Sequence, residues 1–98
     1  MFEQPCLIEA NHPALAGHFP GRPLVPGVML LECVADALRA WRGQRLERVV
    51  EAKFLAPLLP DQLASVHLTA GASAETRVRF EIQRDGIVLA RGVIEGVA

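Results

Sequence analysis

The apolar pattern of this chain changes period several times. Residues 27–42, GVMLLECVADALRAWR, carry no internal proline and no glycine after the first position. Pro26 stands just before them, where a missing N–H costs a helix nothing. Gly43 follows as a stop, and Arg39 and Arg42 suit the negative end of a helix dipole. The spacing predicts a helix over 27–42, ~24 Å long at the usual rise. Its polar residues Glu32, Asp36 and Arg39 fall at i, i+4 and i+7 on one narrow stripe. Nearly everything else in the first three turns is apolar, so the helix is expected to be buried on most sides and wrapped by another layer.

The flanking segments read as strands. CLIEA at 6–10 is a short apolar run. RVVEAKFLA at 48–56 and ASVHLTAG at 64–71 are rich in β-branched residues. In the second, Val66 and Leu68 face one way and Ser65, His67 and Thr69 the other. TRVRFEIQ at 76–83 alternates cleanly, with Val78, Phe80 and Ile82 on the apolar face. Asp85-Gly86 marks a hairpin turn, and IVLARGVIEGV at 87–97 is the returning strand. Between the first strand and the helix, NHPALAGHFPGRPLVPG holds four prolines and three glycines in 17 residues, which excludes regular structure there. APLLPDQL is a second proline-punctuated connection. The order predicts an α+β fold, with one long helix covered by an antiparallel sheet of about five strands. There are no repeats, linkers or low-complexity segments, and residues 1–98 are expected to form a single domain.

Composition narrows the function classes. Of 98 residues, 51% are apolar, an excess for so short a chain that is expected to cover a partner subunit. A net charge of −1 gives no global field that would favour nucleic acid or an anionic membrane. The longest apolar stretch, LVPGVMLL, is too short to span a bilayer and contains Pro26. The N-terminus has no basic start followed by a long apolar run, so no signal peptide is expected, and a cytoplasmic location is the default. Cys6 and Cys33 lie far apart in sequence, outside any zinc spacing, and read as buried thiols. Cys33 in particular reads as core packing, and His12 and His67 as a loop residue and a strand-face residue.

The run GHFPGRPLVPGVMLLE resembles the active-site segment of the FabZ family of 3-hydroxyacyl-[acyl-carrier-protein] dehydratases, whose pattern is H-F-P-x-x-P-x-x-P-G-V-L-x-x-E. His18, Phe19, Pro20, Pro23, Pro26, Gly27, Val28 and Glu32 are in register with it. Upstream, Asn11, Pro13 and Gly17 match N-x-P-x-x-x-G. Downstream, KFLAPLLPDQL resembles the K-F-x-x-P-V-x-P-G-D-x-L segment. The resemblance runs from about residue 11 to 63. It implies a hot-dog fold, with the helix as sausage and the sheet as bun, assembled as a homodimer or a higher oligomer. Three departures stand out. ECVAD replaces the usual E-A-M-A-Q, so Asp36 takes the place of a glutamine. The turn lacks the glycine before Asp61. The chain also begins near the first strand, without the leading helix that FabZ-like proteins carry.

The resemblance implies dehydration of a (3R)-hydroxyacyl thioester on acyl carrier protein to a trans-2-enoyl thioester, in fatty-acid, polyketide or aryl polyene synthesis. The chemistry needs a base for the C2 proton, an acid for the C3 hydroxyl and a donor for the thioester oxygen. His18 is the natural base and Glu32 the natural acid, meeting across the dimer in the family. The Gly27 N–H, at the helix start, suits the thioester oxygen. Phe19 and Val28 would line the substrate site, and Asp36 would stand behind it or pair with Arg39. No metal or redox cofactor is implied, since the substrate rides on the phosphopantetheine arm of the carrier protein. Arg22, Arg39 and Arg42 are candidates for docking that acidic carrier, although Arg39, Arg42, Arg45 and Arg48 read first as a solvated helix end. Taken alone, His18 reads as a structural loop residue and Glu32 as a rim carboxylate. Two other functions stay open: an acyl thioesterase of the same fold, and a non-catalytic partner that binds acyl carrier protein beside an active homologue.

Overall fold

The computed structural model describes residues 1–12, 24–71 and 76–98. His18, Phe19 and Arg22, with Pro13, Gly17, Pro20 and Pro23 of the family pattern, lie outside the described residues. The elements are β1 (Phe2–Cys6), α1 (Gly27–Arg42), β2 (Arg45–Phe54), β3 (Ala64–Ala70), β4 (Arg77–Arg84) and β5 (Ile87–Val97). The five strands form one antiparallel sheet in the order β1-β3-β4-β5-β2. Helix α1 lies across it against β1, β2 and β3, the hot-dog arrangement.

The helix has the bounds that the sequence predicts. Gly43 ends it in the left-handed region at φ 66°, and its N–H closes on the carbonyl of Arg39 at 2.8 Å. Its burial differs from expectation. Met29, Leu30, Val34, Ala37 and Leu38 face the sheet and are buried. Val28, Glu32, Asp36 and Arg39 form an exposed row. One sheet covers only one side of a helix, so α1 is amphipathic within the single chain.

The first strand also differs. It runs from Phe2 to Cys6, because those residues pair with Leu68 to Ala64 of β3. The CLIEA run leaves the sheet after Cys6 and is tied instead to the second connection. Asp61, at φ 65°, donates its N–H to the carbonyl of Ile8 at 2.8 Å, and its carboxylate accepts the N–H of Ala10 at 2.9 Å. β2 starts three residues earlier than the sequence pattern suggests and carries two register shifts against β5. Asp85 and Gly86 both take positive φ, as the hairpin turn requires.

The core lies between α1 and the inner face of the sheet. Phe80, Ile82, Leu68, Val66 and Ile94 meet Leu38 and Val34 there, all fully buried. The outer face is polar. Glu3, His67, Glu81, Arg91 and Lys53 are consecutive partners in one row across all five strands. Among the described residues, no helix is long and apolar enough to cross a membrane.

Candidate active site

The start of α1 is held from both sides. Val25 donates its N–H to the carbonyl of Leu58 at 2.9 Å, which fixes the chain just before the helix. Pro26 is the N-cap, in extended conformation and without a side-chain capping bond, and no acidic residue occupies the first turn. Among the described residues, the N–H groups of Gly27 and Val28 therefore meet no intrahelical acceptor and no capping carboxylate. Phe54, at the end of β2, lays its ring against Gly27. With Val25, Leu30, Ala56 and Leu58 it lines a cavity of about 430 Å³ on this side of the helix start.

On the other side, between β1 and α1, lies a cleft of about 290 Å³. Glu32, Cys33 and Asp36 form its helix wall, and Cys6, Ile8 and His12 part of the opposite wall. Val28, Glu32 and Asp36 succeed one another at intervals of one turn, so the exposed row runs from the helix start along this cleft. Glu32 stands about 7.5 Å along the axis from Gly27. Of the sequence-selected residues, Gly27, Val28, Glu32 and Asp36 are thus brought to one end and one face of α1.

Arg39 and Arg42 lie elsewhere, in the last turn of the helix. Arg42 places its guanidinium 4.2 Å from the centre of the Trp41 ring, which stacks on Phe2. Arg48 is bound to Glu95 at 2.8 Å. Arg39 is exposed, and no ion pair joins it to Asp36.

Two arrangements escape the sequence. Cys6 and Cys33, remote in the chain, meet in the β1–α1 packing. Their mutual hydrogen bond pushes the thiol pKa of Cys6 up and holds that of Cys33 below the ordinary cysteine value. Burial adds to the rise at Cys6, and burial and the Asp36 and Glu32 carboxylates oppose the fall at Cys33. On the outer face, His67 joins Ser65 Oγ through Nε2 at 2.8 Å and Glu3 Oε1 through Nδ1 at 3.3 Å. Through His67 that relay borders a polar trough of about 570 Å³. It sits mid-ladder, where backbone N–H groups serve strand pairing, so it lacks the free donors that a hydrolytic serine site uses.

A family model described as ApeI dehydratase, for ApeI-like proteins, matches residues 2–93. The chain belongs to the ApeI-like dehydratase family. The 3-hydroxyacyl-[acyl-carrier-protein] dehydratase FabZ of Haemophilus influenzae is 33% identical over 96 residues, covering 88% of this chain and 58% of the relative. The ApeI-like chain thus spans less than two thirds of that relative's length. Among solved structures, the dehydratase heterocomplex ApeI:P from Xenorhabdus doucetiae superposes with a TM-score of 0.81 at 20% identity, over 98% of this chain and 86% of that one. A 1,4-dihydroxy-2-naphthoyl-CoA thioesterase from Synechocystis reaches 0.76 at 17% identity, over 98% and 80%. These two structural likenesses establish the shared hot-dog fold. The sequence matches favour the dehydratase branch of that fold over the thioesterases.

Proposed function

We propose that this ApeI-like chain dehydrates (3R)-hydroxyacyl thioesters carried on acyl carrier protein to trans-2-enoyl thioesters. The observation that carries the reading is the exposed row Val28, Glu32, Asp36, which starts at the uncapped N-terminus of α1 and follows a cleft. In this reading the Gly27 N–H receives the thioester oxygen, where charge develops as the C2 proton leaves. His18 takes that proton. Glu32 protonates the C3 hydroxyl, which departs as water. Val28 and Phe19 line the acyl path, and Asp36 lies one turn beyond the acid. The reaction needs no metal or redox cofactor. The phosphopantetheine arm of the carrier delivers the substrate, with Arg22 and Arg39 as docking contacts.

A single chain leaves Glu32 open to water, so the site needs a second protomer. β2 is the edge best suited to supply it. It is ten residues long, with neither proline nor glycine, and exposes Val49, Val50 and Phe54. The other edge, β1, carries Pro5, which lacks the N–H that strand addition uses. In this reading a homodimer joined along β2 brings His18 of one copy to Glu32 of the other.

The test supplies a 3-hydroxyacyl thioester on carrier protein and follows enoyl thioester and free thiol separately. The reading expects enoyl product with the thioester intact. Thiol release without enoyl product would make the protein a thioesterase. Carrier binding without turnover would make it a non-catalytic partner.

A further inference from the structure

Cys6 closes β1 and Cys33 sits one residue beyond Glu32 on α1, and both are free thiols. They differ in access. Cys6 belongs to the core and is 1% exposed, whereas Cys33 is only partly buried and packs against that core. Both line the same β1–α1 cleft. A dithiol with one accessible and one sheltered sulfur has the layout of an attacking and a resolving cysteine. The acid–base balance agrees. The S–H of Cys6 stabilises a thiolate on Cys33, where solvent also reaches, and the same contact together with burial keeps Cys6 protonated. The pair gives up its first proton from the accessible side.

We propose that Cys6 and Cys33 form a modification site for low-molecular-weight disulfides, which oxidise the pair to a disulfide bond between β1 and α1. The Cys33 thiolate attacks one sulfur of the small disulfide. That S–S bond breaks, one small thiolate leaves, and a mixed disulfide remains on Cys33. Cys6 then loses its proton to solvent, attacks the Cys33 sulfur and expels the second small thiolate. Two protein thiols are oxidised and one small disulfide is reduced to two thiols. The bond ties the strand to the helix on the wall of the cleft, beside Glu32, and a small thiol reverses it. The oxidation depends on the strand–helix packing alone, whatever reaction the cleft hosts.

The test incubates the reduced full chain with glutathione disulfide under native conditions, quenches by alkylation and maps the peptides by mass. Wild type is expected to lose two hydrogens, yield a Cys6–Cys33 cross-linked peptide and keep no adduct. Cys6→Ser is expected to retain glutathione on Cys33, and Cys33→Ser to lose the reaction. The proposal is overturned if wild type accumulates a stable mixed disulfide. It is also overturned if the bond forms between chains, or if both thiols stay alkylatable under oxidant that oxidises the unfolded chain. The wild-type map decides alone if either variant fails to fold.

Discussion

Phe54 and Gly27 are in direct contact: a methyl group placed on Gly27 would stand 2.9 Å from Phe54 Cζ. Phe54 is 51% exposed, so its ring can swing away. Gly27→Ala therefore exchanges a gain in helix propensity for a small displacement at the ring edge, and stability should change by no more than about 1 kcal/mol. The cavity beside the helix start changes shape all the same. The expected outcome is a thermal midpoint close to wild type with a fall in kcat/KM for the hydroxyacyl thioester. A large loss of stability would show that the ring is locked in place.

Gly92 in β5 presents the opposite case. A methyl there would collide with the carbonyl oxygen of Glu51 on β2 and lie 2.7 Å from Phe80 Cε2. Both neighbours are held, one by the strand ladder and one by the core. Gly92→Ala should cost about 2–3 kcal/mol, lowering the melting midpoint by roughly 10 °C or more. Thermal unfolding followed by circular dichroism measures it. A midpoint within a few degrees of wild type would contradict the packing of β2 on β5.

Glu95 accepts from Arg48 at 2.8 Å and from Arg77 at 3.1 Å. Those two hydrogen bonds hold its carboxyl below the ordinary glutamate value. The folded state then binds fewer protons than the unfolded state in the acid range, so the stabilisation is complete above the unfolded pKa. It is lost as pH falls through the folded pKa. Wild type should exceed Glu95→Gln in stability at neutral pH, and the gap should close on acidification. A gap independent of pH would mean that the bridges contribute nothing electrostatic.

The Asp36 carboxylate raises the pKa of both Cys6 and Cys33. Asp36→Asn removes that charge from an exposed position, so the fold should hold and the thiolate fraction of Cys33 should grow. Alkylation by a neutral reagent at fixed pH is expected to accelerate by a few-fold. An unchanged or slower rate would place Asp36 too far from the dithiol to act on it.

Much of the fold was legible in the sequence for physical reasons. Pro26 and Gly43 bracket the helix with residues well suited to start and stop one, and the alternation of Val78, Phe80 and Ile82 fixes the inner face of β4. The sequence pattern places the first strand at 6–10, because CLIEA is apolar enough to read as one. Its pairing register with β3 instead favours Phe2–Cys6, and no local signal carries that. The apolar pattern predicts burial on most sides of the helix because an apolar residue such as Val28 looks the same whether it faces a core or a partner. Val28 is 64% exposed in the single chain. For the site, Glu32 and Gly27 stood out through their place in a dense motif. The Cys6–Cys33 contact is purely tertiary, so their separation along the chain concealed it.

The proposed site is completed by two protomers, with His18 from one and Glu32 from the other. The most direct measurement is enoyl thioester formation by His18→Ala, by Glu32→Gln and by an equimolar mixture of the two after subunit exchange. Each variant alone should lose about 10²-fold or more in turnover. In the mixture, half of the dimers pair one variant with the other and regain one intact site of two, so activity should return to about a quarter of wild type. Wild type that turns over while the exchanged mixture stays as inactive as its components would contradict the shared site.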